Sequence, residues 1–287
     1  MMPKPLIVLV ARQRTGTTAL SESLGGGPAI FSAGEVFHHK WDSPAGEQEK
    51  YRLQRACNYF EYRLEKLREE PELNIPTLAN QRTLLHGFLN RLSESTDKPF
   101  VLISVKYNSV HHFEPFYSTP GVSSHFLFLV RELNAAIIHL KRPAYFDRYC
   151  SGQMASQSGV WHAERGKGLA DEPVTLEIDC RAALRDMQES ARLDAEFERY
   201  LQSYNRRLVL KYGYVFAGQG LSPGTADGID ALVGARAEAA PVPLSKLVPP
   251  LWKTVSNREE VMTFFDSTPF GEVVRNALTP PGHHPLA

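Results

Sequence analysis

The chain has 287 residues, 43% of them hydrophobic, 10% aromatic and 22% charged, and its 32 lysines and arginines balance 32 aspartates and glutamates. That neutrality excludes a global electrostatic pull toward nucleic acid or an anionic membrane, so any anion site must be local. Three widely spaced cysteines, Cys57, Cys150 and Cys180, offer neither a disulfide framework nor a zinc-type pair; with no signal-peptide pattern and no apolar run near the start approaching the roughly 20 residues of a membrane span, the expectation is a reducing cytoplasm and no transmembrane segment.

The pattern opens on a continuous apolar stretch at 6–10, which reads as a buried strand leading through the loop 12–18 into a helix. Leu20 and Leu24 recur at helical spacing, and Gly25, Gly26, Gly27 and Pro28 end that helix. A short strand running into a loop follows at 29–37, then an amphipathic, highly charged helix at 47–70 and another at 81–94. Strands are predicted at 100–105 and 135–140, with 125–133 ambiguous between helix and strand. Pro143 opens a helix that runs to 157, a longer helix covers 181–204, and 207–211 is a last strand. Strands alternating with helices predict an α/β fold with a central parallel sheet flanked by helices, in one domain over 1–278. The Gly, Ala and Pro-rich segment 218–243 reads as a loop insertion with a short helix at 229–240, and 279–287 as a disordered tail.

Two constellations carry chemistry. In the first, Arg12, Arg14, Thr15, Gly16, Thr17 and Thr18 lie between a strand and a helix, where backbone N–H groups and a helix N-terminus converge on an anion. The loop follows the outline of a Walker A motif, but Ala11 stands at the first glycine and Thr17 at the lysine. In the second, a strand ends on Lys141 and Arg142, and Ser151 lies in the helix that follows, a pairing suited to a second phosphate.

Taken together these residues resemble the sulfotransferases that use 3′-phosphoadenosine 5′-phosphosulfate (PAPS), and most of all the bacterial carbohydrate sulfotransferases of the Nod-factor and trehalose type. Their first loop is similar to residues 14–18 and their second motif to Arg142 and Ser151. Further similarity lies in 32–37, Lys106-Tyr107-Asn108, 157–162 and 254–261, so that it runs in order from about residue 5 to 275. One departure concerns the second motif, since the family spacing from Arg142 lands on Cys150, one residue before Ser151. Either the loop has gained a residue or Cys150 has taken the place. Ser151 is favoured because it keeps its distance from Trp161 and because a thiol is a weak phosphate donor.

The resemblance implies a P-loop-like three-layer fold and in-line transfer of a sulfuryl group from PAPS to an acceptor hydroxyl, leaving adenosine 3′,5′-bisphosphate, with no metal. Arg14, Thr17 and Thr18 would hold the 5′-phosphate with help from Arg12, Thr15 and Gly16, and Arg142 and Ser151 the 3′-phosphate. Glu35 stands where the carbohydrate branch carries its base, His38 and His39 are rival bases, and Lys106 could neutralise the sulfonate. Glu35, His38 and Lys106 would line the acceptor side, and Lys246 could close over the nucleotide. The pairs His111-His112 and His283-His284 lack carboxylate or cysteine partners at ligand spacing. A P-loop kinase-like phosphotransferase is disfavoured by the missing Walker lysine, and a catalytically silent nucleotide-binding member by the joint presence of Glu35 and Arg14. The acceptor is undefined beyond a small molecule or glycan. The charged helix at 47–70 offers a surface for homodimer pairing.

Overall fold

In a computed structural model, which describes residues 3–37, 57–113, 125–158, 175–242 and 249–280, the opening apolar run forms β1 (Leu6–Ala11), buried at every position. Burial on both faces is what a continuous apolar strand requires, and β1 lies in the middle of a five-stranded sheet. Its neighbours are β3 (Phe100–Lys106) and β4 (Ala136–Lys141); β2 (Ile30–Ser32) lies outside β3 and β5 (Arg207–Lys211) outside β4. Every pairing is parallel, giving the order β2-β3-β1-β4-β5 with Val8 registered between Ile103 and Ile137. The predicted α/β fold, a central parallel sheet flanked by helices, is therefore what the chain forms.

Helix α1 (Thr17–Gly25) buries Leu20 and Leu24 and ends at the glycines foreseen as a stop. The structure gives those glycines a second reason. A Cβ at Gly27 would stand 2.2 Å from the carbonyl oxygen of Glu238, so only glycine admits the segment that lies there. Ser23 fastens that segment reciprocally: its hydroxyl donates to the Ala240 carbonyl at 2.6 Å, and the Ala240 N–H donates to the Ser23 carbonyl at 2.8 Å.

Several boundaries differ from the sequence reading, each for a local reason. Within 29–37 the expected short strand is Ile30–Ser32, and the loop follows it. Helix α2 (Tyr59–Glu69) begins only after Asn58, whose side chain accepts from the Phe60 and Glu61 N–H groups, so Cys57 and Asn58 are not helical. The predicted stretch 47–56 lies outside the described residues. Helix α3 (Leu78–Glu94) starts earlier than 81 because Thr77 caps it, and the ambiguous segment is α4 (His125–Glu132). Helix α5 (Tyr145–Ser158) follows β4, and α6 (Cys180–Leu201) ends short of Tyr204, whose hydroxyl instead donates to the Ala135 carbonyl. A two-stranded ribbon, β6 (Phe216–Ala217) with β7 (Gly220–Leu221), precedes α7 (Pro223–Val233). The expected helix at 229–240 is thus displaced toward the N-terminus, because Ser222 caps it, Pro223 opens it and Gly234, at φ 78°, closes it.

The chain packs as two compact units. One comprises the described residues as far as Lys141 together with Leu201–Val242, and its core joins Ile7, Leu9, Leu20, Leu102 and Ile138 to Ile229 and Ala237. The other comprises Arg142–Tyr200 and the described residues beyond 243; it holds α5, most of α6, α8 (Leu251–Thr254), α9 (Arg258–Phe265) and α10 (Gly271–Leu278). Phe146, Cys150, Met187, Val261 and Phe265 lie in its own apolar core. A parallel bridge between Leu176 and Val255 joins its two chain segments. The expected tail at 279–287 lies outside the described residues from 281 onward.

Candidate active site

The loop after β1 is shaped by its own residues. The Thr15 hydroxyl donates to the Arg12 carbonyl at 2.6 Å and closes the turn, while Arg14 and Gly16 both adopt left-handed backbone, at φ 62° and 88°. A non-glycine residue in that region costs free energy, which makes Arg14 a held feature of the loop. Gly16 leads into α1 without a side-chain cap, so the first N–H groups of the helix are left to a ligand or to solvent. An anion is the ligand such an N-terminus favours. Arg12, Arg14 and Thr18 are half-buried, and Thr17 is buried.

Thr17 and Lys106 meet, although the sequence places them far apart. The Lys106 ammonium, at the carboxyl end of β3, donates to the Thr17 hydroxyl and lies 3.0 Å from the Glu35 carboxylate. Lys106 is only 5% exposed, so its charge needs partners, and these two supply them. Glu35 is brought there by the sheet. Beyond β2 the ladder continues, with the Ala33 N–H donating to the Leu102 carbonyl at 2.9 Å and the Ser104 N–H to the Gly34 carbonyl at 2.8 Å. Gly34 then turns through φ 71° and delivers Glu35 beside Lys106. Three adjacent strand ends, those of β1, β2 and β3, therefore converge where parallel α/β sheets place ligands.

A residue the sequence reading missed is Tyr212, which follows β5. A Cβ at Gly16 would stand 2.1 Å from the Tyr212 ring, so the ring rests directly on the loop glycine. The only sequence signal is an aromatic directly after a strand.

In the second unit, Arg142 is half-buried ahead of α5 and Ser151 is buried within it. Cys150 is fully buried among Phe146, Met154 and Met187, and burial pushes its thiol well above the ordinary range; Asp147 adds to that shift and the Arg142 charge opposes it. A neutral thiol in an apolar cluster is poorly suited to grip phosphate. The same helix is held to α6 by Arg148, which donates to Asp186 and, at 2.5 Å, to the Ser190 hydroxyl, and by Tyr145, whose hydroxyl donates to Asp194 at 3.1 Å.

His38, His39, Trp161, Lys246 and His283-His284 lie outside the described residues, as do the side chains of His111 and His112. Among the described residues, no group of three or more His, Cys, Asp or Glu side chains could hold a metal ion, and no helix is long and apolar enough to cross a membrane.

No protein-family model matches the chain, and no curated protein matches it. Among solved structures it is similar to the crystal structure of a sulfotransferase from Alicyclobacillus acidocaldarius, at 16% identity and a TM-score of 0.42, with 96% of each chain covered.

Proposed function

We propose that the chain is a cytoplasmic sulfotransferase that moves a sulfuryl group from PAPS to a hydroxyl of a carbohydrate or glycolipid, with residues 1–278 working as one catalytic domain. The observation that supports this reading is the convergence of Lys106, Thr17 and Glu35 at the carboxyl ends of three parallel strands, beside an uncapped helix N-terminus. An ammonium, hydroxyls, two arginines and open N–H groups suit an anionic donor, and a carboxylate beside them suits a base for an acceptor hydroxyl.

In this reading Arg14, with the N–H groups and hydroxyls of Thr17 and Thr18, holds the 5′-phosphate as negative charge develops on it, assisted by Arg12, Thr15 and Gly16. Lys106 neutralises the transferring sulfonate. Glu35 accepts the acceptor's hydroxyl proton as the acceptor oxygen bonds to sulfur and the sulfur–oxygen bond to the phosphate breaks. Arg142 and Ser151 hold the 3′-phosphate. The protein's work is positioning and charge stabilisation, as in phosphoryl transfer.

The test is calorimetric titration with adenosine 3′,5′-bisphosphate, with ATP and magnesium alongside. The bisphosphate should bind at least about tenfold more tightly, a difference of about 1.4 kcal/mol, and Arg142→Ala should weaken it far more than it weakens adenosine 5′-phosphosulfate. A preference for ATP with magnesium, or no binding of the bisphosphate, overturns the reading.

A further inference from the structure

The loop carries Thr17 where a Walker motif carries lysine. We infer that Lys106 supplies from β3 the ammonium that the loop lacks, and that Thr17 is the positioning residue that seats it at the loop. The inference rests on the proposed function for the identity of the anion, and it gives Thr17 a task beyond direct contact with that anion.

Lys106 is 5% exposed and Thr17 is 3% exposed, and an ammonium so far from solvent is stable only where acceptors are fixed around it. The Glu35 carboxylate at 3.0 Å is one acceptor and the Thr17 hydroxyl is the other. A hydroxyl that accepts from an ammonium still has its own proton to donate, so Thr17 can link the Lys106 charge to an anion held by the loop. Residue size enforces the arrangement. Thr17 is the first residue of α1, and a lysine there would bring a second ammonium into the space that Lys106 occupies. A lysine on the loop and a lysine on the strand are therefore alternatives, and this chain carries the strand version. The strand version has a consequence of its own, because the ammonium serving the anion also touches the carboxylate proposed as base.

The experiment is calorimetric titration of the full chain with inorganic pyrophosphate and with adenosine 3′,5′-bisphosphate. Lys106→Met should weaken both by about tenfold or more, the scale of one lost charge-assisted contact. Thr17→Val, which keeps the shape and removes the hydroxyl, should weaken both several-fold, and Thr17→Ser should restore them. In the Lys106→Met background, Thr17→Val should cost markedly less, because the residue has no ammonium left to seat. The exchange Thr17→Lys with Lys106→Met should recover much of the lost affinity.

Unchanged pyrophosphate binding in Lys106→Met overturns the inference, as does an equal cost of Thr17→Val in both backgrounds. A wild-type chain that binds neither anion overturns it too. If pyrophosphate binds with the expected coupling while the bisphosphate does not, the inference stands and the PAPS reading falls. Should Lys106→Met fail to fold by circular dichroism, the Thr17→Val and Thr17→Ser pair decides, and equal affinity of the two overturns it.

Discussion

Two constraints meet at Gly16, a backbone φ of 88° and the ring of Tyr212 against its Cα. An L-residue in left-handed conformation loses about 1–2 kcal/mol, and forcing a methyl into filled space costs about 1–3 kcal/mol more. Gly16→Ala should therefore lower unfolding stability by about 2–5 kcal/mol in urea. Adding Tyr212→Ala should return the steric part and leave the backbone part. If the double variant is no more stable than Gly16→Ala once the cost of Tyr212→Ala alone is subtracted, the ring does not constrain the loop. The glycine and the arginines around it were legible, because a strand, a loop with Gly16 and a helix follow one another directly in sequence. The residues that complete the site were legible only as types. Glu35 and Lys106 were singled out, but that they form an ion pair through Thr17's neighbourhood depends on which strands are adjacent, and no local pattern encodes that. Tyr212 went unread for the same reason, being nearly two hundred residues from the glycine it covers.

At the scale of elements, the strands were read well and the helix starts less so. β3 lies where its continuous apolar run puts it, since burial on both faces leaves little choice, and the edge strand β5 falls at the predicted 207–211 although only Leu210 of it is buried. The helix expected at 229–240 lies earlier because the Ser222-Pro223 start fixes α7 by a cap and a preset backbone angle. The part of the second unit beyond 250 had no element reading, yet a side-chain clamp orders it. The Ile178 N–H donates to Asn257 Oδ1 at 3.0 Å, and Asn257 Nδ2 donates back to the Ile178 carbonyl at 3.0 Å. Beside them, Leu176 exchanges backbone bonds of 2.9 Å with Thr254 and Ser256. Ile178 is buried, so Asn257→Ala strands its N–H and leaves its carbonyl with only the weak Cys180 thiol donor at 3.9 Å, and should cost about 1–3 kcal/mol in urea unfolding. Asn257→Asp, which keeps only the acceptor, should fall between the two. A loss below about 0.5 kcal/mol, the scale of an ordinary surface change, would remove Asn257 as the clamp.

Across the whole molecule, local signals foretold the parallel sheet but not its order, nor the division into two units that each take chain from two separate stretches. Both depend on long-range closure that sequence periodicity does not carry. Each unit nevertheless holds hydroxyls or thiols that burial keeps protonated. In the first, burial raises the Tyr59 hydroxyl far above its ordinary value, with Arg63 opposing the shift. In the second, burial raises Tyr145, reinforced by Asp194, and burial likewise raises Cys150. The sign of the effect on stability follows from where the proton is held. A folded state whose groups titrate later than those of the unfolded chain is fully stabilised by them below the unfolded values, about 8.5 for cysteine and about 10 for tyrosine, and loses that contribution as the pH rises beyond. Stability should therefore decline from about pH 9, first through Cys150 and then more steeply above about pH 10, with a limiting slope of about 1.4 kcal/mol per pH unit for each group still protonated in the folded state. Urea midpoints between pH 8 and 11 measure this directly. Cys150→Ala should delay the onset and Tyr59→Phe should flatten the upper limb, whereas midpoints that stay level to pH 11, or a Tyr59→Phe profile parallel to wild type, would show that these buried groups do not govern alkaline unfolding.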